Sequence, residues 1–228
     1  MRGMIRFAIF ATLTCGGCTV NAQSETPAYL LIVQESVRPG SVAAYNENEL
    51  KLATACATLN CPHPYLALTT LGDPTQVWWL NAFVSAEQRE GLSDAYARNK
   101  PLMKALKPLG KRKEAFRESV TTSAAKYIPA LRDDIVFQIT TARFLVVDTG
   151  AQQESSGALF ETVDGERFSF GAAATLEAAR QVAARFGAAA KILSIQPQWS
   201  FPDEAWIDAD PEFWSSSPAA QKRRGEKL

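Results

Sequence analysis

The sequence has very little of the residue types that most often act in catalysis or bind metals. His63 is its single histidine, and of its four cysteines only Cys56 and Cys61 lie beyond residue 22. It has no glycine-rich phosphate loop, no nucleophile elbow and no cluster of residues at the spacing of a metal site. We therefore expect no metal and no cofactor. His63 is the one candidate general base or heme ligand, and the alternative is a loop histidine without such a role.

An excess of charge of one sign is also absent. The 24 basic and 24 acidic residues give a formal net charge of zero, which offers no electrostatic basis for binding nucleic acid or an anionic membrane. The apolar run at 7–15 is too short to cross a bilayer as a helix. We expect neither a nucleic-acid partner nor a membrane span in the mature chain.

The first 22 residues have the pattern of a secretory signal peptide. Arg2 and Arg6 precede the apolar run, and Val20-Asn21-Ala22 provides small residues where signal peptidase cleaves. We expect cleavage after Ala22 and a periplasmic or secreted location. Lipid attachment at Cys18 is the alternative route.

Export bears on the two cysteines that remain. In an oxidising compartment Cys56 and Cys61 are expected to form a disulfide. They lie five residues apart at the end of a predicted helix, so they can reach the Cα separation that a bridge requires. The alternative is that Cys56, which falls on the apolar stripe of that helix, is a buried thiol.

Residues 65–83 have the clearest secondary-structure pattern in the chain. Two runs of β-branched, aromatic and leucine residues flank a turn predicted at 72–75, which indicates a β-hairpin. Side chains alternate between the two faces of a strand. One face of the second strand carries Val77, Trp79, Asn81 and Phe83. The other face is also apolar, which predicts a strand covered on both sides.

Helices are predicted on either side of this hairpin. Ser41 can cap a helix that ends near Asn60, and a capping box at 85–88 opens a second helix. Pro101 breaks or restarts this second helix, and its apolar face continues to Gly110. With a strand at 28–34, the first half has the order β-α-β-β-α.

One more strand, expected within 134–147, would complete the split β-α-β of a ferredoxin-like unit. The basic run at 111–117 is interpreted as a solvated helix end. In the second half we predict a strand at 142–147, a hairpin of 158–162 and 167–170, a helix from Thr175 to Gly187, and a strand at 191–195.

The predicted organisation is a signal peptide at 1–22, a ferredoxin-like α+β unit at 26–130, a second α+β segment at 131–202, and an acidic, aromatic extension with a disordered polar tail at 203–228. The second segment is either an incomplete unit that closes a barrel within one chain or an extension packed against the first unit.

The turn and cap motifs of the first half also resemble a known family. Three stretches, Val37-Arg38-Pro39-Gly40, Gly72-Asp73-Pro74-Thr75-Gln76-Val77 and Ser85-Ala86-Glu87-Gln88-Arg89, are similar to the NIPSNAP-like branch of the dimeric α+β-barrel superfamily. The resemblance covers roughly 28–115. It implies a ferredoxin-like α+β barrel, usually closed across a homodimer, whose lumen can contain a small apolar ligand. Members include cofactor-free monooxygenases and heme-handling proteins.

The residues expected on the lumen face depart from the family pattern. Where that branch usually carries histidine, tryptophan and another aromatic residue, this sequence has Trp79, Asn81 and Phe83, and the arginine of the first strand is replaced by Val33. We expect Trp79, Asn81, Phe83 and His63 to line a ligand site, and the alternative for the aromatic face of the strand is plain core packing. The first hypothesis is therefore an exported, non-catalytic barrel protein that binds a small apolar or aromatic molecule or serves in assembly. The alternative is a cofactor-independent monooxygenase acting in the lumen.

Overall fold

The computed structural model describes residues 26–129, 137–150 and 157–228. Within these ranges the strands are β1 (Tyr29–Val37), β2 (Leu66–Thr70), β3 (Asp73–Phe83), β4 (Arg117–Ile128), β5 (Phe144–Asp148), β6 (Ala158–Thr162), β7 (Arg167–Ala173) and β8 (Lys191–Ile195). The helices are α1 (Val42–Leu59), α2 (Ala86–Glu90), α3 (Leu92–Arg98), α4 (Lys100–Glu114), α5 (Leu176–Phe186), α6 (Glu204–Ala209) and α7 (Pro218–Arg223).

The strands form two units of the same topology. The first unit has the sheet order β4-β1-β3-β2, and the second has the order β6-β7-β5-β8. In both units the first strand lies between the third and the fourth, as a split β-α-β arrangement requires. In the described part of the second unit, α5 is the only helix between strands, whereas the first unit has α1 and α2–α4.

Two seams join the units into one closed, antiparallel barrel. At the first seam, Leu68, Thr69 and Thr70 of β2 pair with β8. At the second, residues 125–128 of β4 pair with β6. The predicted ferredoxin-like α+β barrel is therefore confirmed, and of the two arrangements for the second half the one that closes the barrel within one chain is correct.

The interior of the barrel is filled by apolar side chains. Every strand contributes one face to a single buried cluster, which includes Leu30 and Ile32 of β1, Trp78 and Leu80 of β3, and Leu145 and Val147 of β5. Inside it, Phe170 makes an edge-to-face contact with Phe160 and a stacked contact with Phe168. Aromatic rings in these geometries add to the stabilisation from burial, so the interior is a packed core.

The C-terminal segment covers the end of the barrel at which β3 finishes. Trp214 is fully buried in the barrel cluster, and Trp206 and Ala219 pack against the same cluster. On α7, Lys222 donates hydrogen bonds to the Ala57 carbonyl at the end of α1 and to Asn60 Oδ1. The tail predicted to be disordered instead contains α7, whose Pro218 and Ala220 are buried and whose Lys222 satisfies a carbonyl that the end of α1 leaves free.

Two strand predictions need correction. The hairpin turn lies at Leu71 and Gly72, because Thr70 pairs directly with Asp73 and Gly72 has a φ of 84°. The fourth strand of the first unit is β4, not a strand within 134–147. Most side chains in the first part of β4 are exposed, so it lacks the apolar alternation by which strands are recognised.

The predicted signal peptide lies in residues 1–25, outside the described residues. Among the described helices, none combines the length and apolar composition needed to cross a bilayer.

Candidate functional site

The face of β3 expected to line the lumen lies on the outside of the barrel instead. Trp79 packs with Val37, Tyr45 and Val77 in a cluster separate from the barrel core, beneath α1. The inward face carries Trp78 and Leu80. The lumen position predicted for Trp79, Asn81 and Phe83 is therefore wrong. Both faces of β3 are apolar, so composition did not distinguish the side covered by helices from the side that fills the barrel.

A buried group of charged residues surrounds Trp79. Glu35 of β1 accepts hydrogen bonds from the Tyr45 hydroxyl, from Trp79 Nε1 at 3.2 Å and from Arg117 at 2.7 Å. Lys113 Nζ of α4 lies 3.0 Å from Glu35 Oε2 and 3.2 Å from Glu49 Oε1. The same ammonium is 4.1 Å from the Trp79 ring centroid, within cation–π distance. We call Glu35, Glu49, Lys113 and Arg117 the ion cluster.

The two carboxyl groups of the ion cluster have opposite pKa shifts. Burial disfavours ionisation of Glu35, but the charge of Lys113 and the hydrogen bonds from Tyr45, Lys113 and Arg117 together lower its pKa. Burial raises the pKa of Glu49 from 4.5 to about 7, and the negative charge of Glu35 adds to this effect. Burial, followed by the charges of Glu49 and Glu35, also raises the pKa of the Tyr45 hydroxyl.

These contacts indicate a structural role for the ion cluster. The four donors to Glu35 occupy a carboxylate that can accept about four hydrogen bonds. The interpretation of 111–117 as solvated is wrong for Lys113 and Arg117, whose side chains are 13% and 20% exposed. The sequence did contain a signal for buried charge at this place, because Glu35 interrupts an apolar strand and Glu49 falls near the apolar stripe of α1.

Asn81 and Phe83 continue along the outer face beyond Trp79. Asn81 is half-buried directly across from Leu31 of β1, and its side-chain amide has no hydrogen bond within the described residues. Phe83 is fully buried and stacks on the His63 ring, with 4.4 Å between centroids and 8° between planes. The outer face thus brings Trp79, Asn81 and Phe83 into one row, with His63 at its end.

His63 is attached to the end of β3. One ring nitrogen, Nε2, lies 3.0 Å from the Ala82 carbonyl, so Nε2 carries the proton and donates it. Burial lowers the pKa of His63, which favours the neutral ring. This arrangement leaves Nδ1 as a hydrogen-bond acceptor.

An open cleft of about 660 Å³ lies beside this row, between α2–α4 and the outer face of β1 and β4. Leu31 and Ala124, which pair across β1 and β4, form its floor. Tyr96, Met103 and Leu106 form its helical wall. We call this space the helix cleft.

The polar lining of the helix cleft comes from Arg89, Ser93 and the hydroxyl-bearing ring of Tyr96. The Arg89 guanidinium lies over the Tyr29 ring, 5.1 Å from its centroid. A mostly apolar space with a few polar groups is the usual composition of a small-molecule site.

The disulfide predicted between Cys56 and Cys61 is confirmed, with a Cα–Cα distance of 4.6 Å. It closes the C-terminal turn of α1, where Asn60 adopts a left-handed conformation. The Tyr96 hydroxyl donates to Cys61 Sγ at 3.7 Å, and Asn99 Nδ2 donates to the Leu59 carbonyl at 2.8 Å. The disulfide turn therefore positions one wall of the helix cleft. In the described ranges, no three His, Cys, Asp or Glu side chains are grouped as metal ligands.

Comparison with known proteins gives structural matches only. No protein-family model and no curated protein matches the sequence. A Fusobacterium nucleatum subsp. nucleatum protein described as a "putative monooxygenase" is 10% identical, with a TM-score of 0.50 over 75% of this chain and 93% of that one. An anthrone oxidase-like protein is 10% identical, with a TM-score of 0.44 over 76% and 93% of the two chains.

An antibiotic biosynthesis monooxygenase is 15% identical, with a TM-score of 0.35 over 44% of this chain and 99% of that one. Likeness at these identities shows the fold alone. The chain has a dimeric α+β-barrel fold of the ferredoxin-like kind, here with both units in one chain.

Proposed function

We propose that the protein is a non-catalytic binder of a small apolar or aromatic molecule, and that the molecule occupies the helix cleft. The observation that carries the proposal is the combination of a volume of about 660 Å³ with a largely apolar lining. Ligand sites typically have about 300–1,000 Å³ and a small number of polar groups that fix orientation.

The polar groups suggest how such a molecule is oriented. Among the described residues the ion-pair partner of Arg89 is Glu90 at 3.5 Å, and an exposed pair of this kind is weak. Its guanidinium can donate to a hydroxyl, carboxylate or carbonyl on the ligand. Asn81 lies across from Leu31 of the cleft floor and its amide has no hydrogen bond in the described part of the chain, but it is not among the residues that line the cleft.

Cofactor-independent oxidation of the bound molecule is the second candidate. It is favoured by the name monooxygenase attached to the structure that shares the fold over 75% of this chain. Such chemistry needs a base within reach of the substrate. Glu35 is occupied by four donors and Glu49 lies against Lys113, so the described carboxylates beside Trp79 favour the binding role.

Three further proposals follow from the sequence. We propose that the chain is exported after cleavage near Ala22 and that it forms a homodimer. We also propose that residues 28–115 are related to the NIPSNAP-like branch of the dimeric α+β-barrel superfamily. A homodimer is not required for barrel closure, because both seams lie within one chain.

The binding proposal can be tested with the aromatic probes 1-naphthol and 8-anilino-1-naphthalenesulfonate, whose binding is measured by fluorescence titration. Ala124→Phe fills the cleft floor from an exposed position of β4, whereas Thr121→Phe places the same ring on the opposite face of that strand. We expect saturable binding to the unsubstituted protein and to Thr121→Phe, and a loss of about tenfold or more in Ala124→Phe. Equal binding by both variants, or no saturable binding at all, contradicts the proposal.

An oxygen electrode separates the two candidate functions. Oxygen uptake that depends on 1-naphthol and is lost in Ala124→Phe would support oxidation in the cleft. Binding without oxygen uptake would support the non-catalytic role.

A further inference from the structure

A second, smaller cavity lies at the end of the barrel that the C-terminal segment covers. It has a volume of about 250 Å³ and lies between the end of β3, the segment at 137–139 and α6. It is distinct from the helix cleft, because the two share no lining residue. We call it the mouth pocket.

The walls of the mouth pocket are fixed by the barrel core. Phe137 and Ile139 are buried members of the core cluster, and Trp206 packs against it. The Trp206 ring stacks on the buried Trp214, with 6.1 Å between centroids and 25° between planes. Because Phe137 and Trp206 line the pocket and are held by packing, the aromatic part of its wall is formed before any ligand binds.

Asp203 supplies a negative charge to this apolar pocket. One carboxylate oxygen, Oδ1, accepts from the Trp206 backbone N–H at 2.9 Å and caps α6. Within the described residues no lysine or arginine forms an ion pair with Asp203, although the side chain is half-buried. A half-buried carboxylate without a cation has free acceptor sites that a ligand can satisfy.

The other polar groups in the lining add an acceptor and a donor at the rim. His63 uses Nε2 to donate to the Ala82 carbonyl, so Nδ1 is its remaining acceptor. Gln88 is exposed, and its Oε1 accepts from the Val84 backbone N–H. The lining of the pocket therefore combines acceptors, a negative charge and aromatic side chains.

We propose that the mouth pocket binds a small primary amine in its protonated form, with an apolar or aromatic body. The ammonium group would pair with Asp203, and the faces of Phe137 and Trp206 would accept the body and part of the charge. Each water-sized group occupies about 30 Å³, so the pocket accommodates roughly eight such groups, as in a single ring with a short alkyl chain. This proposal is independent of the function assigned to the helix cleft.

The charge requirement can be tested with three probes of the same shape. Phenethylamine, 2-phenylethanol and phenylacetate present a cation, a neutral group and an anion on one phenyl ring. Binding is measured by two-dimensional NMR titration at pH 7.5, where an alkyl amine with a pKa near that of lysine, about 10.4, is charged. We expect phenethylamine to bind about tenfold or more tightly than 2-phenylethanol, and phenylacetate to bind least.

Asp203→Asn is the informative variant, because asparagine is also a good helix cap and can retain the bond to the Trp206 N–H. Glu204→Gln is its matched control, since Glu204 is the next carboxylate in the chain and does not line the mouth pocket. We expect the preference for the amine to disappear in Asp203→Asn and to remain in Glu204→Gln and in Ala124→Phe.

Four outcomes would overturn the proposal. They are no preference for the amine in the unsubstituted protein, an unchanged preference in Asp203→Asn, an equal loss in Glu204→Gln, and loss of amine binding in Ala124→Phe. The comparison of the three probes on the unsubstituted protein needs no variant, so it tests the proposed preference for an amine even where a substitution impairs folding.

Discussion

Replacing Glu49 by glutamine should make the protein more stable at alkaline pH. The Glu49 side chain is 1% exposed, and its pKa is raised from 4.5 to about 7 by burial. A carboxyl group with a raised pKa binds its proton more tightly in the folded state than in the unfolded state. Its contribution to stability is therefore greatest at low pH and is lost as the pH rises from about 4.5 to about 7.

The size of this effect follows from the shift. A difference of one pKa unit corresponds to about 1.4 kcal/mol, so ionisation of Glu49 costs the folded protein about 3 kcal/mol in total, of which about 2.5 kcal/mol falls between pH 5 and pH 8. Glutamine has nearly the same shape and cannot ionise. The stability of Glu49→Gln relative to the unsubstituted protein should therefore increase by about 2.5 kcal/mol from pH 5 to pH 8.

Urea unfolding followed by tryptophan fluorescence at the two pH values measures this difference. Glu47→Gln is the control, because Glu47 lies on the same helix, is exposed and, within the part of the chain that the structure describes, forms an ion pair with Lys51 alone. Its hydrogen bond with Lys51 lowers the pKa of Glu47, so the control should not gain stability at alkaline pH. A difference for Glu49→Gln that stays constant with pH, or that favours the unsubstituted protein at pH 8, would refute the reasoning. Lys113 would then be stabilising an ionised Glu49.

Four other predictions concern the outer face of the barrel, the disulfide and the processed chain. Trp79→Ala should lower the free energy of unfolding in urea by about 3 kcal/mol, because it removes a packed ring and a donor to the ion cluster. Asn81→Leu should leave that free energy unchanged, since the Asn81 amide has no hydrogen bond among the described residues. Under denaturing, non-reducing conditions Cys56 and Cys61 should not react with a thiol reagent, and two labelled thiols would contradict the disulfide. Intact-mass measurement of the exported protein should give a chain that begins at Gln23, and a mass that retains residues 1–22 or carries a lipid would exclude that cleavage.

Local signals in the sequence were sufficient for most elements of the fold. The cap at Ser85 was predictable because a serine side chain three residues before a glutamine can accept from that residue's backbone N–H, as it does at 3.3 Å. Thr175 caps α5 in the same way. The disulfide was predictable from spacing and from the prolines that end α1.

Position on the sheet was much harder to predict than secondary structure. The first part of β4 is exposed, so its polar composition gives no alternation, and the strand was placed too late in the chain. Trp78 and Trp79 have equal propensity for either side of β3, and only the packing of helices and barrel decides between them. The ion cluster was missed because it unites residues from β1, α1, α4 and β4, whose proximity is a tertiary property.

Closure of the barrel within one chain has a consequence for symmetry. In a barrel made of two identical chains, the two-fold axis repeats every substitution and every surface feature. Here each substitution occurs once, and the two seams of three and four residue pairs can differ in strength. Closure is also intramolecular, so the contribution of the seams to stability does not depend on protein concentration. The two sides of such a barrel are therefore free to carry different sites, and a change on one side need not be tolerated on the other.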